Sequence, residues 1–137
     1  DPAKPVPYAE GVHTRRTREY MTDDQRFAAR RPDVVVFQTE ILENDVTVGG
    51  ELFADLMVSM SGTDADFVVK LIDVFPDDFT YGRDDNYIMN GYQMLVRGEV
   101  MRGKFRNSFE KPEPFVPNKP TKVRFQLPDV AHTFKKG

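Results

Sequence analysis

The chain has no cysteine and no tryptophan. The first absence removes disulfides, zinc–thiolate sites and cysteine nucleophiles together. Histidine is nearly as scarce: His13 and His132 are the only two, no His-x-x-x-His spacing occurs, and a histidine-based metal site is not supported. Serine occurs three times, at Ser59, Ser61 and Ser108, never within G-x-S-x-G, so the strained elbow that exposes a serine nucleophile is missing. No apolar run approaches the roughly 18 residues of a membrane span. No signal-peptide apolar region follows Asp1, and an opening on Asp rather than Met reads as a processed chain or a piece of a longer one. A strong positive charge is also lacking, with 19 basic against 22 acidic residues and a net charge of −3. That composition argues against a dedicated nucleic-acid binder. Neither nucleic acid nor membrane is expected as a partner.

What remains is 137 residues, enough for one domain with a core. The charge is uneven: net +1 over residues 1–33, −9 over 34–97 and +5 over 98–137. Pro2, Pro5 and Pro7 make the start an extended linker, and residues 11–33 are polar and Arg-rich, so residues 1–33 read as a linking or wrapping segment. A short helix is expected around Asp23 to Ala29, capped by Thr22 or Asp23 and ended by Pro32.

From residue 34 the texture is that of strands. Val34 to Phe37 is a compact β-branched run. Val46 to Val48 reads as a short strand with a tight turn at Gly49-Gly50, and Leu52 to Met60 alternates with one fully apolar face. Residues 66–75 read as a strand of a buried sheet, apolar on both faces except at Lys70 and Asp73. Residues 76–90 read as a long acidic loop, and Tyr92 to Arg97 and 99–106 as further sheet. Pro112, Pro114, Pro117 and Pro120 forbid a ladder and give an extended crossing. From Thr121 to Leu127, Val123, Phe125 and Leu127 point in while Lys122, Arg124 and Gln126 point out. Short strands, frequent turns and little helix give an all-β sandwich over 34–137, with a jelly roll as the favoured version.

The acids Asp77, Asp78, Asp84 and Asp85 lack the spacing of an EF-hand loop and read as solvated turn acids, so no metal or cofactor is expected. Phe79, Tyr81, Tyr87 and Tyr92 suit packing on a neighbouring domain or stacking on a sugar or peptide. A free-standing carbohydrate-binding jelly-roll module is therefore an alternative reading, weakened by the missing tryptophan.

Several stretches resemble one family. R-P-D-V-V-V-F-Q-T-E-I-L-E-N-D-V-T-V-G-G (Arg31 to Gly50) is similar to the opening of the C-terminal β domain of cocaine esterase-like hydrolases, the X-Pro dipeptidyl-peptidase C-terminal domain. S-G-T-D-A-D-F-V-V-K-L-I-D-V-F-P (Ser61 to Pro76), R-G-K-F-R-N-S-F (Arg102 to Phe109) and L-P-D-V-A-H-T-F-K-K-G (Leu127 to Gly137) continue the resemblance. The leader (Asp1 to Tyr8), D-Q-R-F (Asp24 to Phe27) and G-Y-Q-M-L-V-R-G (Gly91 to Gly98) resemble the α-amino-acid ester hydrolase branch, with its glutaryl-cephalosporanate acylase-like members.

The resemblance implies a jelly roll of the galactose-binding-like kind, here without its last strands. It implies a larger serine hydrolase that cleaves esters or amides, α-amino acyl esters among them, through an acyl-enzyme. The catalytic Ser, Asp and His would lie in an α/β-hydrolase domain and none in this chain. The β domain would cap that domain, help wall the cleft and support homo-oligomer contacts, and the parent would be secreted or periplasmic. Within this frame, Phe79, Tyr81, Tyr87 and Tyr92 are the expected lining of the cleft or domain interface. Asp66 and Lys70 are expected to form a buried ion pair, whose breaking would cost roughly 3–5 kcal/mol. Arg97, Arg102 and Arg106 are expected to answer the acids of residues 64–78.

Overall fold

The computed structural model describes residues 22–29, 31–80 and 89–137. Four strands carry the fold: β1 (Val46–Val58), β2 (Asp66–Val74), β3 (Gln93–Arg102) and β4 (Thr121–Phe134). A one-turn helix, α1 (Arg26–Ala29), precedes them, and a 3₁₀ turn at Gly103–Phe105 follows β3. β1 pairs with β4 and β2 with β3. Both pairs are antiparallel, since Asp45 meets Lys135 while Glu51 meets Gln126, and Asp66 meets Arg102 while Phe75 meets Tyr92. The chain is an all-β sandwich. Among the described residues no helix is long and apolar enough to cross a membrane.

Two compact units divide the chain. One comprises Asp1–Val46, Ile72–Leu95 and Thr133–Gly137, the other Thr47–Leu71 and Val96–His132. The core of the second unit follows from period-two patterning. Ala54 of β1 and Val123, Phe125 and Leu127 of β4 are buried with Phe115, and Leu52, Leu56, Val58, Phe67, Val69 and Met101 pack around them. Each large side chain so buried contributes about 1.5–3 kcal/mol. Phe115 reaches this core from the proline-rich crossing, which is pinned by Phe115 N–H to the Thr63 carbonyl and Asn118 N–H to the Met60 carbonyl, both at 2.7 Å. Gly103 is an obligate close approach: a Cβ there would stand 2.5 Å from the Phe115 ring and 2.8 Å from Phe67.

The outward face of β1–β4 in this unit is a charge ladder. Asp55 takes Lys122 at 3.0 Å, Gln126 donates to Glu51 at 3.3 Å, and the Arg124 guanidinium lies 4.7 Å over the Phe53 ring.

Five local expectations are corrected. Val34–Phe37 is not a strand: no described strand pairs with it, and Val35 and Phe37 are 79% and 92% exposed. β-branched composition reports a fit to a pleated, half-buried surface, and among the described residues no strand offers one to this run. Gly49-Gly50 is no turn, because β1 runs through it, with Gly50 at φ +99°. β2 lies in no fully buried sheet: Phe67, Val69 and Leu71 are half-buried, while Val68, Lys70 and Val74 are exposed. Strand β3 stops at Arg102, short of the expected 106. The first N–H of α1 is held by Asp24, not Thr22 or Asp23, through Arg26 N–H to Asp24 Oδ1 at 3.0 Å.

Candidate functional site

In the first unit, an aromatic group forms where β3 begins. Phe75 stands edge-on to Phe79 (ring centroids 4.8 Å) and to Tyr92 (5.7 Å). Phe75 N–H donates to the Tyr92 carbonyl at 2.9 Å, which fixes the backbones under these rings. The Tyr92 hydroxyl donates to the Thr22 carbonyl. Burial, then the charges of Asp24 and Asp23, push the Tyr92 hydroxyl above its ordinary pKa. Phe79 and Tyr92, two of the four expected lining residues, are thus brought together, both half-buried. Tyr81 and Tyr87 lie outside the described residues, as do His13, Asp84, Asp85 and the proline-rich start.

A polar clasp joins the segment around α1 to the same end of β3. Gln25 N–H donates to the Gln93 carbonyl at 2.9 Å, and Gln93 N–H returns to Asp24 Oδ1 at 3.2 Å. The Gln25 side chain is fully buried and donates to the Asp23 carbonyl at 2.8 Å. Arg26 Nε closes on Asp24 Oδ2 at 2.6 Å. Partial burial pushes the Asp24 carboxyl up. The hydrogen bonds from Arg26 and Gln93 outweigh it and hold the group below its ordinary range. Sequence reasoning missed Gln25. Its signal, one amide among arginines and acids, has no meaning until Gln93, far along the chain, is placed beside it.

The second unit carries the arginines. Arg102 forks between Asp64 (Nε to Oδ2, 2.8 Å) and Asp66 (Nη1, 3.1 and 3.2 Å), and Lys104 N–H donates to Asp64 Oδ1 at 3.0 Å. Arg102 therefore answers the expected acids. Asp66 and Lys70 are both exposed, so the buried character expected of that pair is corrected: strand β2 turns these residues to its open face. Arg97 and Arg106 answer other groups. Arg97 donates to the carbonyls of Asp129 (2.6 Å) and Val96 (2.7 Å). Arg106 donates to the carbonyls of Gly103 (3.1 Å) and Glu113 (2.5 Å), faces the Glu113 carboxylate at 3.5 Å and lies 4.3 Å over the Phe115 ring. Both are spent on backbone carbonyls, a need visible only after folding.

Beside them, Phe105 and Phe109 stack at 6.3 Å along an open groove of about 500 Å³ that Val100, Arg124 and Gln126 also line. Ser108 is committed to its own turn, its hydroxyl accepting from the N–H groups of Glu110 and Lys111. Ser59 and Ser61 are exposed at and beyond the end of β1, and His132 is half-buried on β4. Among the described residues no cluster of three or more metal-ligating side chains occurs. Arg97, Arg102 and Arg106 are thus each engaged by carboxylates, by backbone carbonyls or by both.

Residues 9–137 match the X-Pro dipeptidyl-peptidase C-terminal non-catalytic domain. The chain belongs to this family. Among its relatives, the cocaine esterase of Rhodococcus sp. (strain MB1 Bresler) is 39% identical over 93 residues, 68% of this chain and 16% of the esterase. Among solved structures, an aminopeptidase from a marine sediment Thaumarchaeota archaeon superposes with a TM-score of 0.85 at 41% identity, and an α-amino acid ester hydrolase with 0.86 at 40%. Both cover all of this chain, which spans 23% and 22% of their lengths.

Proposed function

We propose that this chain is the C-terminal β domain of a larger serine hydrolase that cleaves esters or amides, α-amino acyl esters among them, through an acyl-enzyme. The observation that carries the reading is the match of residues 9–137 to a non-catalytic domain, joined to full coverage of this chain by hydrolases four times its length. The nucleophilic serine, its histidine base and the oxyanion hole would lie in the hydrolase domain. In this reading residues 1–33 are a wrapping segment, and the clasp of Gln25 and Asp24 on Gln93 supports that role. Phe79 and Tyr92 contribute to the wall facing the hydrolase domain or its cleft, and the domain supports oligomer contacts.

The test is a paired assay. The whole parent protein should hydrolyse p-nitrophenyl esters of small acyl groups and be labelled by a fluorophosphonate on one serine, while the 137-residue chain should hydrolyse them at the buffer rate. Ester turnover by the 137-residue chain, or a parent inert to the label, would sink the reading.

A further inference from the structure

The turn that leads into β3 contains an Asn-Gly dipeptide, the sequence most prone to spontaneous deamidation because glycine leaves its own amide nitrogen sterically open. Tyr92 N–H donates to the Met89 carbonyl at 3.1 Å, closing a four-residue turn with Gly91 at its third position and φ +62°. Glycine is demanded there twice over. The positive φ disfavours any side chain, and a Cβ would stand 2.8 Å from Asp77 Oδ1 and 3.4 Å from Arg26 Nη1. The turn therefore keeps the labile dipeptide in place. Asn90 is exposed, whereas Gly91 is buried. The Gly91 N–H, whose nitrogen must attack, donates to the Pro76 carbonyl at 2.9 Å, beneath Asp77 and Arg26.

We propose that Asn90 is a deamidation site held inert by the Gly91 N–H bond to the Pro76 carbonyl and by the Arg26 and Asp77 side chains that lie close over Gly91, and that opening of this turn commits it to modification. The step balances without any enzyme. Gly91 nitrogen loses its proton to solvent base and bonds to Asn90 Cγ, the Cγ–Nδ2 bond breaks, and the amide leaves as ammonia. Water then opens the succinimide at either carbonyl, giving aspartate or isoaspartate and one new negative charge. In the folded chain the proton is engaged by Pro76 and the nitrogen is fixed away from free rotation, so reaction waits on local opening.

The experiment incubates the whole protein carrying this chain at mildly alkaline pH and follows Asn90 by peptide mapping. The unstructured reference is a synthetic peptide with the sequence of residues 87–94. The folded protein should deamidate at least about tenfold more slowly than the peptide, as expected for a turn that opens only transiently. Arg26→Ala should raise the rate by uncovering Gly91. Equal rates in protein and peptide would overturn the proposal. A slow rate unmoved by Arg26→Ala would overturn the assignment of that side chain as part of the cover over Gly91.

Discussion

Arg97 and Asp129 are 32 residues apart and meet at one hydrogen bond, Arg97 Nε to the Asp129 carbonyl at 2.6 Å. The meeting point is where β4 changes parity. Val123, Phe125 and Leu127 are buried at odd positions, Pro128 and Asp129 are both exposed, and burial resumes at Val130. Pro128 brings no N–H to the ladder. Arg97 supplies a donor at this irregular point.

Truncating that donor leaves the Asp129 carbonyl to solvent. Arg97→Ala should lower stability by about 1 kcal/mol, the scale of one hydrogen bond at a partly exposed site. Arg97→Lys should not restore it fully, because a lysine cannot serve both the Asp129 and Val96 carbonyls with a planar fork. Urea midpoints of the three proteins decide the matter, and an unchanged Arg97→Ala midpoint would refute it.

Gly103 and Gly49 should respond oppositely to the same substitution. Gly103→Ala drives a methyl into the Phe115 and Phe67 rings and should cost about 1–3 kcal/mol, the range of overpacked cores. Gly49→Ala meets nothing within 4 Å at an unstrained backbone position, and should be neutral or slightly stabilising through the unfolded chain. Thermal melts of both variants provide the comparison.

Acid should loosen the molecule in a defined window. At Asp64, burial raises the carboxyl, but Arg102 and the Lys104 N–H outweigh it and the net shift is down. Asp45 is held down by Lys135 and Asp33 by Arg31. A carboxylate with a depressed folded pKa adds stability that is present above its unfolded value, and this is lost as pH falls through the folded value. Stability should therefore be level from about pH 5 to 7 and decline below about pH 4. In Asp64→Asn that decline should be shallower, as read from denaturation midpoints against pH. An equal decline would remove Asp64 from the account.

Tyr92 tests the aromatic group. Tyr92→Phe keeps the edge-on contact with Phe75 but loses the bond to the Thr22 carbonyl, and should cost about 1 kcal/mol. Phe75→Ala removes two ring contacts and should cost about 2–3 kcal/mol, below the full core range because Phe75 is half-buried. If the lining proposal holds, Phe79→Ala in the parent hydrolase should change KM for a bulky ester, and unaltered kinetics would remove that role.

The parts of the fold that were legible in the sequence are those written in local period. Val123, Phe125 and Leu127 against Lys122, Arg124 and Gln126 announce a strand and its inner face. Arg102 was expected to meet acids of 64–78, and it forks on Asp64 and Asp66. The parts that escaped depend on partners distant in the chain. Val34 to Phe37 has a strand's composition, yet no described strand pairs with it. Arg106 was expected to meet carboxylates of 64–78, but it serves the carbonyls of Gly103 and Glu113, freed where the chain turns out of β3. Gln25 became readable only when Gln93 stood beside it.

The β1–β4 pairing sets a timetable for synthesis. Its partners lie 75 residues apart at Glu51 and Gln126 and 90 apart at Asp45 and Lys135. At roughly 5–20 residues per second, β1 leaves the ribosome about 4–18 s before the strand that pairs with it. Throughout that interval the edge of β1 that β4 takes has no partner, and Leu52, Ala54, Leu56 and Val58 lack Val123, Phe125 and Leu127 beside them. Pairings of such long range also close slowly once both strands are available. The nascent chain thus passes through a sticky interval whose length is fixed by the distance between two strands, and chaperone demand should concentrate there.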